Sequence, residues 1–294
     1  MPSDDRSWIG ITTLQDFPTA EAFLKDVLNA SGQSIKQQDF ERTWLTTPLK
    51  KKQTFKLPLE LLNRGEIWPT YQGPSPCILS EQPPIVAIHK PAGIHTHPLA
   101  YEDAPNLLSW LVTQGRHDLL QVNLAGQDRG CLYRLDQPTS GLVLYAQTTE
   151  VYKEARKNFA EMFLRKIYLC IVKGEPGEGK DVTHHLVPFG PKGATMKVAS
   201  TGQRAVLSYQ TLKTVNGYSL VQVQLKTGLR HQIRVQFAAL GFPLLGDTQY
   251  GGEAAERMFL HCYRYDLKWQ GKELSWQDTD AELFDRFFDL HSLL

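Results

Sequence analysis

The chain has 294 residues, 41% of them hydrophobic and 21% charged, with 32 Lys and Arg against 31 Asp and Glu for a formal net charge of +1. That length buries a core without metal or disulfide staples, and the balance excludes a disordered chain and a strongly basic nucleic-acid coat, though not a local basic patch in a cleft. No run approaches the roughly 18 apolar residues of a membrane span, and the N-terminus, MPSDDRSWIG, lacks the basic and apolar regions of a secretory signal, so a cytoplasmic protein with no membrane partner is expected.

In chain order, Phe23, Leu24, Val27 and Leu28 recur at helical spacing and predict a short amphipathic helix over 19–30. Lys50, Lys51, Lys52 and Lys56 follow, and Leu59, Leu61 and Leu62 suggest a second short helix. The run from Pro69 to Pro84 is dense in proline and reads as a linker. A boundary near residue 80 therefore separates an accessory segment, 1–80, from a larger domain, 81–294.

Beyond that boundary, Ile85–Ile88 and Gly141–Ala146 read as buried strands. Thr149 as a cap, Glu150 in the first turn and the stripe Val151, Ala155, Phe159, Met162 and Phe163 predict an amphipathic helix over 150–165. Ile167–Val172 is apolar at every position but Tyr168 and predicts a central strand, whereas Leu220–Leu225 alternates as a strand with one buried face. Leu229, Ile233, Phe237 and Leu240 predict a helix ended by Gly241. Strands outnumber strong helices and do not alternate regularly with them, which favours an α+β fold over a doubly wound one.

Three segments carry polar groups at strand ends: His89–Pro98, Tyr133–Gly141 and Leu225–Arg234. Asp136 sits in a turn-like run at the mouth of a strand, as reactive residues on loops often do, but an Asx-turn explains it equally. Arg230 and Arg234 stand one helical turn apart after Lys226, so they make either a solvated basic face or a phosphate-binding pair with one arginine neutralising a carboxylate. His95-x-His97 and His184-His185 are weak metal signals. Cys77, Cys131, Cys170 and Cys262 form no CxxC pair, and no GxxxxGK[ST], GxSxG or HExxH run occurs, so no metal or nucleotide cofactor is assigned.

Taken together, these segments resemble the RluA-type family of pseudouridine synthases. Lys90–Gly93 with His97-Pro98 is similar to the family's Lys-Pro-Ala-Gly…His-Pro segment, and Tyr133–Gly141 matches its His-Arg-Leu-Asp-x-x-Thr-Ser-Gly motif except at the first residue. Lys166-Ile167-Tyr168, Gly202–Tyr209, Thr227–Arg234, Gly246-Asp247…Tyr250-Gly251 and Leu260–Arg264 follow in the family's order, so the resemblance covers roughly 81–270. Two positions depart from it: Tyr133 replaces a His, where an aromatic donor can still brace the loop. Leu229 replaces an Arg, so that either Arg230 stands in or one phosphate contact is lost. An S4-like RNA-binding domain is only faintly suggested at Leu61–Ile67.

The resemblance implies a pseudouridine synthase domain over 81–294, with a mixed, mostly antiparallel central sheet flanked by helices and loops. The implied partner is a structured RNA, ribosomal or transfer, and the implied enzyme is a monomer that needs no cofactor, because the isomerisation involves no redox change or energy input. Asp136 is implied as the essential carboxylate. A free aspartate, with a pKa of about 3.9, is already anionic at pH 7, so the difficulty is burying the anion beside a flipped base. Arg234 is implied as its ion-pair partner and Tyr168 as the ring beneath the base. Arg134 is a candidate for a phosphate or the vacated stack, and Lys90, His95, His97, Lys226 and Arg230 for lining the RNA groove. A silent RNA-binding relative and a metal-dependent hydrolase using His95, His97 and His184 or His185 are the rival readings.

Overall fold

The computed structural model describes residues 8–28, 30, 35–36, 38, 40–58, 61, 67, 69–98, 105–124, 126–279, 284 and 287–288. It divides into two compact units, Met1–Tyr71 with His97–Arg129 and Gln72–Thr96 with Gly130–Leu294. Among the described residues no helix is long and apolar enough to cross a membrane.

In the first unit β1 (Trp8–Thr12) pairs antiparallel with β2 (Thr54–Pro58). The expected early helix is present but short, Ala20–Asp26, with the Thr19 hydroxyl accepting from the Ala22 amide at 3.0 Å. It ends where the Ala30 amide returns to the Leu24 carbonyl at 3.0 Å, which leaves Val27 52% exposed instead of on the buried stripe. Phe23 and Leu24 pack with Phe17, Leu49 and Leu57 in a local core, where Phe17 and Phe55 meet the Phe23 ring edge to face. A pair of helices, Leu107–Thr113 and His117–Leu120, is opened by Asn106, whose side chain accepts from the Ser109 amide. Of the second helix expected near Leu59, Leu59 and Leu62 lie outside the described residues, as does most of the S4-like run Leu61–Ile67.

Among the described residues the second unit is built on one sheet of ten strands. These are β3 (Cys77–Gln82), β4 (Ile85–Lys90), β5 (Ser140–Ala146), β6 (Phe163–Lys173), β7 (Glu178–Phe189), β8 (Thr195–Ala199), β9 (Gln203–Val215), β10 (Tyr218–Leu225), β11 (Leu260–Trp269) and β12 (Lys272–Gln277). Their order is β3-β4-β5-β11-β6-β10-β9-β7-β8, with β12 added to β11. Every pairing is antiparallel except β5 with β11, where His261 faces Ser140 and Cys262 faces Gly141. The α+β class and the mostly antiparallel sheet are therefore as expected. β3 corrects the linker reading: Cys77–Gln82 pairs with β4 although prolines bracket it, because the prolines lie outside the hydrogen-bonded stretch.

β6 runs between β10 and β11, and Ile167, Leu169 and Ile171 pack with Leu220, Phe259 and Tyr263. The helix expected over 150–165 is two pieces, Thr149–Lys157 capped by Thr148 and a single turn Phe159–Met162, after which β6 begins at Phe163. Asn158 ends the first piece. The apolar spacing runs on across that break because the next element also buries its residues, so periodicity alone misses it. Helix Gln232–Ala239 seats Val235 against Leu186, Met196 and Ala205, and Gly241 follows at a φ of 85°. Its polar residues are buried too: Gln232 accepts from the Thr227 hydroxyl and the Leu229 amide and donates to the Val206 carbonyl.

Candidate active site

The loop that enters β5 carries Asp136, and a second loop clamps it. The Thr139 amide closes a turn onto the Asp136 carbonyl at 3.0 Å, and the Gly93 amide donates to the Gln137 carbonyl at 2.9 Å. The Thr96 hydroxyl donates to the Leu135 carbonyl at 3.0 Å and accepts from its amide at 3.1 Å. Lys90, expected in the RNA groove, is fully buried instead: its Nζ donates to the carbonyls of Pro91, Ile94 and Gln137 at 3.0, 2.8 and 3.3 Å. The ammonium satisfies carbonyls that both loops leave without ladder partners, and burial pulls its pKa down to about 7. Gly141 is required where this loop joins the sheet, because a Cβ at its φ of 115° would run into the Cys262 backbone.

Asp136 faces a cleft lined by Arg134, Tyr168, Leu229, His231 and Arg234. Its Oδ2 accepts from Arg234 Nη1 at 3.3 Å and lies 3.9 Å from His231 Nε2. Among the described residues its Oδ1 has no hydrogen-bond partner, and neither oxygen takes a backbone amide, so the Asx-turn reading does not hold. Its side chain is 24% exposed, against 6% for Arg234. Arg234 is held more tightly by a second acid. Its Nε and Nη2 donate to Asp247 at 2.7 and 2.9 Å, and Nη2 also reaches Gln249 at 2.7 Å. Burial opposes the guanidinium charge, but Asp247 and Asp136 outweigh it and leave the Arg234 pKa raised. One cation thus serves two carboxylates, and Asp136 has the weaker share.

Tyr168 lies on the cleft wall with its hydroxyl 3.1 Å from that of Tyr265. Burial raises its pKa well above the ordinary tyrosine value, so the phenol keeps its proton. Tyr133 donates to the Leu142 carbonyl at 3.1 Å and stacks on the Tyr265 ring at 4.1 Å, which braces the loop as an aromatic donor in place of His.

Several expected placements are corrected. Arg230 and Arg234 do not share a face: His231 between them is left-handed at a φ of 53°, and the helix starts only at Gln232. Arg230 turns to the β7–β8 hairpin, donating to the carbonyls of Gly193 and Thr195, and Leu229 takes the cleft-lining place. Lys226 is exposed and pairs with Asp181. His95 is half-buried, and His97 is 8% exposed and belongs to the first unit. Among the described residues no three His, Cys, Asp or Glu side chains converge as a metal site, and His184 instead meets Gln236 Nε2 at 3.0 Å. Asp247, His231 and Tyr250 were assigned no role from sequence. The available signal is the place of His231 in the motif that holds Arg234, and of Asp247 and Tyr250 in the segment that follows it.

The profile of a family described as RNA pseudouridylate synthase matches residues 84–239, more than half of the chain. An "Uncharacterized RNA pseudouridine synthase" of Helicobacter pylori is 35% identical over 139 residues, 46% of this chain and 57% of that protein. The "Ribosomal large subunit pseudouridine synthase D" of Pseudomonas aeruginosa is 33% identical over 175 residues, 60% of this chain and 53% of that protein. The chain thus spans little more than half the length of these relatives. The solved structure of human RNA Pseudouridylate Synthase Domain Containing 4 superposes with a TM-score of 0.55 at 22% identity, over 74% of this chain and 92% of that one. Human RNA Pseudouridylate Synthase Domain Containing 1 gives 0.56 at 20% identity, over 70% and 84%; both likenesses concern the fold.

Proposed function

The chain belongs to the family of RNA pseudouridylate synthases, and we propose that it converts specific uridines of a structured RNA to pseudouridine, using Asp136 and no cofactor. The observation that carries this reading is a carboxylate with one oxygen on Arg234 and the other unengaged among the described residues, in a cleft that also presents the Tyr168 ring. The reaction breaks the N1–C1′ bond, turns the uracil over, forms a C5–C1′ bond and moves the C5 proton to N1. Asp136 acts on the sugar through Oδ1, as nucleophile or base. Arg234 stabilises its charge while committing three of its four hydrogen bonds among the described residues to Asp247 and Gln249, which leaves the acid reactive.

Extruding the uridine costs a few kcal/mol of stacking. The Tyr168 ring beneath it offsets about 1–3 kcal/mol of that cost. Arg134, exposed at the cleft edge, holds a flanking phosphate. Lys226 and Arg230 join the groove only by exchanging Asp181 and the hairpin carbonyls for phosphate. The name of the Pseudomonas relative favours ribosomal RNA over transfer RNA. The segment before the family match acts as an accessory element in choosing the RNA, and the enzyme acts as a monomer in the cytoplasm.

The test is tritium release from RNA carrying [5-³H]uridine, since isomerisation must expel the C5 hydrogen. Release by the unmutated protein, abolished in Asp136→Asn, is expected. Binding of ribosomal and transfer RNA without any release would replace this reading with that of a silent RNA binder.

A further inference from the structure

His231 occupies a left-handed backbone position at the start of its helix, a conformation uncommon for a residue with a Cβ. The position aims Nε2 at Asp136 Oδ2, 3.9 Å away, and Nδ1 at the Tyr250 hydroxyl, 2.8 Å away. The Tyr250 oxygen also accepts the Met196 amide of β8 at 2.9 Å. An amide N–H can only donate, so among the described residues His231 Nδ1 is the one partner able to take the phenolic hydrogen. Burial raises the Tyr250 pKa and keeps that hydrogen in place at neutral pH. With Nδ1 accepting, the neutral ring carries its own hydrogen on Nε2. The same Tyr250 ring lies under Arg234, whose Cζ is 5.0 Å from the centroid. Arg234 and His231, which both face Asp136, therefore rest on one tyrosine.

We propose that Tyr250 is a positioning residue that fixes His231 as the Nε2–H imidazole, so that Asp136 Oδ2 is bonded by one full cation, Arg234, and faced at 3.9 Å by the N–H of a neutral ring. A second full charge there would quench the carboxylate, and the opposite tautomer would turn a lone pair against it. The charged and titratable groups around the imidazole are Asp136, Arg234, Arg230, Asp247 and Tyr250. Burial, with the two arginines, lowers the His231 pKa against the pull of the two acids, which keeps the ring neutral at pH 7. Turnover should therefore fall as pH drops below the ordinary histidine range. This role in catalysis rests on the synthase reading; the tautomer itself does not.

The imidazole ¹⁵N shifts of His231 in the unmutated, RNA-free protein test the tautomer directly. A pyrrole-type Nε2 with a pyridine-type Nδ1 is expected, and the reverse assignment overturns the proposal whatever the enzyme does. Tyr250→Phe keeps the ring under Arg234 and deletes the hydroxyl. It should give mixed tautomers and lower kcat about tenfold, with KM for RNA little changed. His231→Gln, which offers an amide donor near the same point, should keep more activity than His231→Leu. In the His231→Gln background Tyr250→Phe should have no further effect on kcat. An unchanged kcat in Tyr250→Phe, or a raised KM at constant kcat, contradicts the positioning role. No tritium release from the unmutated protein, with the Nε2–H signature intact, would sink the synthase reading instead.

Discussion

Two polar clusters on the same sheet use nearly the same groups to opposite ends. In the cleft, Asp136 meets Arg234 and His231, is 24% exposed and keeps one oxygen unengaged among the described residues. In the other cluster, Asp278 is 1% exposed and bonds His89 Nδ1 through Oδ2 at 2.7 Å. Its carbonyl meets His261 Nε2 at 3.1 Å, and the other nitrogen of His261 lies 2.9 Å from Ser140 Oγ, which accepts from Arg257 at 2.7 Å. Ser140, His261 and Asp278 have the composition of a hydrolytic triad, yet all three are buried and engaged, and they tie β4, β5 and β11 to the chain after β12. On the proposed reading, reactivity lies with the acid left short of partners at an open face, not with the inventory of groups.

The contrast is broken most sharply by exchanging the two acids in turn. Asp136→Asn should remove at least about a thousandfold of turnover, a loss on the scale of a missing catalytic group, with little change in the urea denaturation midpoint. Asp278→Asn should do the reverse, destabilising by about 1–3 kcal/mol for the buried donors it strands, while the folded protein keeps turnover within severalfold. Equal effects of both on turnover would erase the distinction. Tyr168→Phe comes next, as the test of whether the hydroxyl relays a proton in the cleft: RNA binding by filter retention should persist because the ring is kept, while kcat falls about tenfold. Equal loss of both would make Tyr168 a packing residue.

Lys90 sharpens the comparison, because it is a buried amine that braces the loop of Asp136. Its folded pKa of about 7 lies below the ordinary lysine value of 10.5. The unfolded chain therefore binds more protons between those values, and stability from this group rises with pH from about 7 to 10.5, being lost as pH falls through 7. Lys90→Met should flatten that slope in denaturation midpoints measured across the window; an unchanged slope would mean that the lysine is not buried as a brace. Tyr133→Phe should have the smallest effect, about 1 kcal/mol for one buried hydrogen bond, with turnover nearly unaffected.

The strands are legible because β4, β5 and β6 each contain an apolar run, and the fold class follows from them. Asp136 and Arg234 are 98 residues apart, so no spacing rule could join them; the ordered motifs did. Arg230 was misplaced because a left-handed His231 shifts the helical phase, which residue types do not announce. Lys90 looked like a groove residue because a lysine satisfied by three carbonyls cannot be told from a solvated one before the loops are seen.

The measurement that bears most directly on Asp136 as the centre of a uridine isomerase is a transcriptome-wide chemical map of pseudouridine. It compares cells lacking the gene with the same cells carrying either the unmutated protein or Asp136→Ala. One or more sites should vanish with the gene and return only with the unmutated protein. Restoration by Asp136→Ala would contradict the assignment.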